Sequence, residues 1–275
     1  MRNVLVVSVL SIIALGFTHP VQAQDNNDRE FKPFPKIATG DEVITPPEGV
    51  HPFYKKYINA NGILIVGSEN VADESLRAAR KTVLKLTSTR PDIHKAIVEG
   101  NARISIMAFS ETASDLPEFG SGADGEWGLG QMPGDPSSLV SEKGIRYEGN
   151  EEYIADFLMH EFVHVVHTFG MPKTDPEVID EIYAAYLDAV DKGVYLPPQE
   201  EQPENPDAFD EWRDDEYFTH SVNAYYDLNE SLPGPWVDVQ IGQWGQRSGT
   251  QKQLRGKDPV MVEIIERFFP KSLKD

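Results

Sequence analysis

The chain has no cysteine anywhere in its 275 residues. That absence excludes disulfide scaffolds, thiol catalysis, iron–sulfur clusters and cysteine-ligated zinc together. It also removes the thiol that a lipoprotein anchor requires. Basic side chains are scarce, with 25 Lys and Arg against 45 Asp and Glu for a formal charge of −20. A nucleic-acid or anionic-membrane partner wants a basic face, so neither is expected here. What is present is ordinary globular material, 40% apolar and 25% charged, which rules out wholesale disorder. The length accommodates one sizeable domain, or two small ones, around a real hydrophobic core.

The first residues read as an address. Arg2 precedes an apolar run from Val4 to Phe17, broken only by Ser8, Ser11 and Gly16, and Val21-Gln22-Ala23 supplies a small-x-small site before polar sequence. The run is short for a bilayer span and its flanks are those of a secretory signal peptide over residues 1–23, the alternative being an uncleaved anchor. Cleavage would remove one Arg and no acid, making the mature chain more acidic still. An exported protein, periplasmic or extracellular, is therefore expected, with no membrane anchor after cleavage. Its fold would form without disulfides even where the compartment permits them.

Residues 24–52 are polar and proline-rich (Pro33, Pro35, Pro46, Pro47, Pro52) and read as a linker or an extended arm lying on the domain. The remainder, 53–275, reads as one α+β domain, helix-dominated with a small sheet. Ile63–Val66 is a short buried-strand candidate after Asn61-Gly62, and Arg103–Phe109 alternates as a strand should. Asp73 is placed to cap a helix with the stripe Leu76, Ala79, Val83 and Leu86, and Pro91 opens a helix closing at Gly100. Residues 110–150 read as a long functional loop or a set of small irregular elements. A helix is expected from an Asn150 N-cap to Thr168, ahead of Gly170 and Pro172, and another from Asp175-Pro176 to Gly193. A Pro/Glu-rich loop over 196–210, a helix over about 214–228 and a final helix opened by Asp258-Pro259 complete the chain.

The chemistry concentrates in His160-Glu161-Phe162-Val163-His164, an H-E-x-x-H arrangement. Positions i and i+4 on a helix differ by about 40° in azimuth and about 6 Å in rise, so both imidazoles can converge on one ion. Zinc takes His nitrogen at roughly 2.0–2.1 Å in a tetrahedral set, and Glu161 projects beside it, where it can accept a proton from activated water. The competing reading is a surface pair of histidines beside a salt-bridging Glu.

A hydrolytic zinc site usually needs a third protein ligand. His167 shares the face of His164 but stands about 4.5 Å further along the axis, which suits contact behind the ligands or plain packing better than ligation. Two later helices offer acids: Glu177, Asp180 and Glu181 on the nearer, Asp214, Asp215 and Glu216 on the farther. Spacing leaves that choice open.

His160-Glu-Phe-Val-His-Val-Val-His-Thr-Phe-Gly170, followed about fifty residues later by Glu216-Tyr-Phe-Thr-His220 and an aromatic run, resembles the catalytic domain of anthrax toxin lethal factor-like zinc metallopeptidases, in particular exported bacterial and fungal proteins of that type. The likeness reaches upstream through Tyr54–Ser68, Arg90-Pro-Asp-Ile-His-Lys-Ala96 and Met107–Glu118 to Gly128-Leu-Gly130, covering most of residues 53–230. The resemblance implies a gluzincin-type, zincin-like fold that hydrolyses peptide or protein substrates. It implies Zn²⁺ held by His160, His164 and Glu216, with Glu161 as catalytic base. Thr219 stands where such proteins carry a small residue and His220 where they carry an acid. Phe209 occupies the place of the lethal factor's oxyanion-stabilising Tyr, so that role has no residue assigned by the likeness. His220, at i+4 from Glu216, is then a candidate catalytic electrophile or supporting group, or else a plain surface histidine.

Tyr217, Tyr225 and Tyr226 read as core aromatics at helical spacing. Gly125–Gly134 reads as a wall or lid near the cleft, and Trp127, Trp212, Trp236 and Trp244 fall in loops. Two further functions compete with a peptidase: a binding protein on the same scaffold, and a zinc hydrolase acting on a glycan or glycopeptide, the latter suggested by the loop tryptophans.

Overall fold

The computed structural model describes residues 36–118, 128–129, 137–153, 156–195, 206–228 and 249–273. The signal-peptide reading, Trp127, Trp236, Trp244 and most of Gly125–Gly134 lie outside them, as do the side chains of Phe209 and Trp212.

Asn61 and Gly62 both take positive φ, 51° and 110°, the conformation of a two-residue hairpin turn whose twist matches its flanking strands. They join β1 (Lys56–Ala60) to β2 (Ile63–Gly67) in antiparallel register, Ala60 opposite Ile63. A Cβ on Gly62 would also lie 2.9 Å from the Val98 methyls, so glycine serves both turn and packing here. β3 (Arg103–Met107), the two-residue β4 (Gly128–Leu129) and β5 (Ser137–Ser141) complete a five-stranded sheet in the order β1-β2-β3-β5-β4. The central pairs β2–β3 and β3–β5 are parallel and the outer pairs antiparallel.

Among the described residues, five strands replace the two expected. β1 is the unrecognised partner of the Asn-Gly turn. β5 is serine-rich, and Ser137, Ser138 and Ser141 are buried by their neighbours rather than by their own apolarity. Side chains alternate between two covered faces. Ile58, Ile63, Ile65, Ile104, Ile106 and Val140 join the helical core. Tyr57, Leu64, Val66, Met107 and Leu139 pack on the other side beneath residues 44–57 and 113–116. Arg103 and Ser105 share that second face, where Arg103 Nη2 donates to Glu118 at 3.0 Å and the Tyr54 hydroxyl lies 3.0 Å from Ser105 Oγ. Residues 36–52 lie against this part of the domain, with Ile44 bridged to Tyr57 and Thr39 Oγ1 accepting from Asn59 N at 2.9 Å.

The helices follow the apolar stripes more faithfully than their caps. α1 (Asp73–Leu86) buries Leu76, Ala79, Val83 and Leu86, but its N-cap is Ala72, and Asp73 is a first-turn acid. α2 (Pro91–Glu99) closes at Gly100 as expected. α3 (Phe157–Val165) begins after Asp156, well past Asn150. Asn150 instead ties a turn, its amide donating to the carbonyls of Glu142 and Ile145 at 2.9 and 2.7 Å.

Gly170 and Pro172 do not stop that helix either. α3 runs into a π-helical turn at Val166–Gly170 and then α4 (Met171–Thr174), where Pro172 sits in the first turn and needs no N–H partner. At Gly170 a Cβ would lie 2.7 Å from Ile93 Cγ2 of α2, so the two helices touch at a point that only glycine allows. α5 (Glu177–Asp191) matches its expected span. α6 (Pro206–Tyr225) starts earlier than expected and absorbs the end of the Pro/Glu-rich loop, whose residues 196–205 are outside the described set. α7 (Gln251–Lys257) was not legible, and α8 (Pro259–Phe268) is capped by Asp258, which accepts from Met261 N at 3.0 Å. The architecture is mixed α and β, rich in helix around a small sheet. No helix among the described residues is long and apolar enough to cross a membrane.

Gly170→Ala is expected to lose about 1–3 kcal/mol of stability through overpacking against Ile93. Gly256→Ala, in α7 with open space around it, should gain about 0.5–1 kcal/mol. Urea denaturation of both variants checks the pair; an unchanged Gly170→Ala midpoint would contradict the close α2 contact.

Candidate metal centre

α3 is apolar almost all round, with Leu158, Met159, Phe162, Val163 and Val165 buried. It therefore lies between β5 and α6 rather than at the surface, and its polar residues are carried inward with it. α6 is fixed by its own buried residues, Tyr217, Phe218, Val222 and Tyr225. The Tyr217 hydroxyl donates to Asp258, the same carboxylate that caps α8, so the residue next to Glu216 is anchored to a second helix.

This packing brings His160, His164 and Glu216 together, with one candidate ligand atom from each inside a 4.8 Å span. His160 Nε2 lies 3.2 Å from His164 Nε2, Glu216 Oε2 lies 3.4 Å from His160 Nε2, and Glu216 Oε1 lies 3.5 Å from His164 Nε2. Bonds of about 2.0–2.1 Å to a tetrahedral zinc would set ligand atoms about 3.3–3.4 Å apart, so the three edges suit that ion. Glu216 Oε2 is moreover buried with no hydrogen-bond partner among the described residues, an acceptor of the kind a cation satisfies. The donor set, two imidazoles and a carboxylate, fits zinc chemistry.

Of the six acids that spacing left open, Glu177, Asp180 and Glu181 face solvent, and Glu181 pairs with Arg267 at 2.8 Å. Glu161 is 5% exposed beside the cluster, and its Oε2 has no hydrogen-bond partner among the described residues. His220 stands next to the cluster, its Nε2 3.6 Å from Glu216 Oε2 and its ring centroid 5.2 Å from that of His160. Tyr217 and Tyr225 are core aromatics, as their spacing suggested.

No protein-family model, curated protein or solved structure matches this chain.

Three residues to which the sequence assigned no supporting role, Asp215, Thr219 and Asn223, stand behind the cluster. Asp215 Oδ2 accepts from His164 Nδ1 at 2.9 Å, and Oδ1 lies 3.2 Å from His167 Nδ1. Thr219 Oγ1 is 3.4 Å from His164 Nδ1, and the Asn223 amide is 3.4 Å from His160 Nδ1. Asn223 Oδ1 is buried without a partner among the described residues, and turning the amide over lets it accept the His160 Nδ1–H. Both ligand imidazoles thus have a polar neighbour at Nδ1, which suits Nε2 facing Glu216. The signal for Asp215 was its adjacency to Glu216; that for Asn223 and Thr219 was helical spacing from it.

Burial sets the proton affinities here, and neighbouring charges adjust them. It pushes the Glu161 carboxyl up to about 7, with His160 and His164 opposing. Burial works against a charged His164, but Asp215 and Glu216 outweigh it and raise the imidazole to about 10. Burial likewise disfavours the Glu216 carboxylate, yet His164 and His160 bring it down to about 2.

Metal analysis of purified, dialysed protein is expected to find a divalent ion in Glu181→Ala and a marked loss in Glu216→Ala. Metal retained by Glu216→Ala but stripped from Glu181→Ala would contradict this ligand set.

Proposed function

We propose that this chain is an exported zinc-dependent metallopeptidase of the gluzincin type, built on a zincin-like fold and acting on peptide or protein substrates. The observation that carries the proposal is the buried Glu161 carboxylate, its Oε2 unpartnered among the described residues, adjoining the His160–His164–Glu216 triangle. Zn²⁺, held by His160, His164 and Glu216, would supply a Lewis acid that polarises the scissile carbonyl and acidifies water. Glu161 takes the proton from the attacking water and passes it to the leaving amine. Its proton affinity, lifted to about 7 by burial, suits a group that must both accept and release a proton near neutral pH. His220, beside Glu216, is assigned to the developing oxyanion, the duty for which the family resemblance left no residue. Asp215 and Asn223 orient the two imidazoles.

Supporting this reading over a merely structural ion is the presence of a protonatable carboxylate next to the ligands. A structural site has no use for one. The tryptophans that suggested a glycan substrate lie outside the described residues or have side chains that do, so no observation favours that alternative.

Glu161→Gln should reduce hydrolysis of a mixed peptide library by about 10²–10⁴-fold while metal content stays at the wild-type level. Fragment detection by mass spectrometry, alongside metal analysis, reads both quantities. Equal turnover in the two proteins would remove Glu161 from the reaction, and a zinc-loaded wild type that cleaves nothing would mark a binding protein.

A further inference from the structure

The third histidine of His160-Glu-Phe-Val-His-Val-Val-His167 is left without a duty by the ligand set. It is 9% exposed, sits in the π-helical turn, and its Nε2 is buried with no hydrogen-bond partner among the described residues. Its other ring nitrogen faces Asp215 Oδ1, itself a buried oxygen with no aligned hydrogen-bond donor among the described residues. His167 Nδ1 lies 3.2 Å from Asp215 Oδ1, and the opposite oxygen of the same carboxylate receives the His164 Nδ1–H at 2.9 Å.

We infer that His167 is a positioning residue for the metal centre, acting only through Asp215. This rests on the zinc reading above. Asp215 precedes the ligand Glu216 on α6, so its carboxylate joins the ligand-bearing face of that helix to both α3 and the π turn. An acid held by a single hydrogen bond can swing about its χ angles. With one oxygen taking the His164 Nδ1–H and the other facing His167 Nδ1 at 3.2 Å, the Asp215 carboxylate is confined from both sides, and His164 then keeps the tautomer with Nδ1 protonated and Nε2 open.

The backbone around His167 is suited to holding it still. Phe169 and Gly170, at the end of the π turn, press on α2 so closely that a Cβ on Gly100 or on Gly170 would come within 2.7 Å of Phe169 or Ile93 respectively. The Phe218 ring packs at 5.8 Å from that of His167. Two explanations of His167 therefore compete, a ring that fills space and an N–H that faces Asp215, and they respond to different substitutions.

His167→Phe keeps a ring and removes the N–H. His167→Asn removes the ring and keeps an N–H near the position of Nδ1. Zinc affinity, measured by competition with a chromogenic chelator, should fall in His167→Phe and stay within about threefold of wild type in His167→Asn. Asp215→Ala should weaken zinc binding by about 10–100-fold. Adding His167→Phe to Asp215→Ala should cost nothing more, because the histidine has lost the group it acts through.

Thermal unfolding of the metal-free variants confirms that each is folded. Wild-type affinity in His167→Phe, or two losses that simply add in the double variant, would overturn the positioning role while leaving the zinc site standing. A wild-type chain that takes up no zinc, or His164→Ala that binds as tightly as wild type, would overturn the metal reading and this inference together.

Discussion

A carboxylate wedged between two imidazoles, well out of water, is the contact on which the site depends. Removing Glu216 from solvent costs several kcal/mol, and only close positive or polar partners offset such a cost. The partners come from α3, a helix whose surroundings are almost wholly apolar. Neither helix can shift without separating the charge from what compensates it. Phe162 and Val163 on one side, and Phe218 and Val222 on the other, are consequently fully buried. The Tyr217–Asp258 link extends the constraint to α8, so that helix belongs to the support of the site.

Around that contact the local charge balance is lopsided. Glu161, Asp215 and Glu216 converge on one small volume with His160 and His164 as their near neighbours, and Asp214 is buried beside them. His167 and His220 stand beside Asp215 and Glu216 as further imidazole neighbours. Asp215 and Glu216 outweigh the burial that opposes a charged His164 and push its imidazole up. A divalent cation in the place proposed for it would offset the same charge imbalance with both imidazoles as neutral ligands, leaving Asp215 the acceptor it already is for His164 Nδ1. The site is thus read as a place where folding and metal affinity are coupled through the same few side chains.

What the chain disclosed in advance follows the length of the signal. The His160–His164 spacing was legible because a helix has one geometry, and two residues a turn apart must share a face. The stripes of α1 and α8 were legible for the same reason. Choosing Glu216 over Glu181 required knowing which later helix packs on α3, a long-range fact that spacing does not hold; a family resemblance had to suggest it. β5 escaped notice because Ser137-Ser138-Leu139-Val140-Ser141 has little apolarity of its own and owes its burial to neighbours. β1 is hidden because Asn61-Gly62 reads as the lead-in to one strand, whereas it is the turn between two. Gly170 and Pro172 have the character of stop signals, whereas the close approach of α2 and the widened π turn carry the helix through both. Asp215 was hidden by being one acid among three in a row.

The most direct test of the account is anomalous diffraction at the zinc edge from crystals grown with the metal. The account predicts one strong peak about 2.0–2.2 Å from His160 Nε2, His164 Nε2 and a carboxylate oxygen of Glu216. A peak held by other residues, or a fully loaded protein with no density between these three, would contradict it.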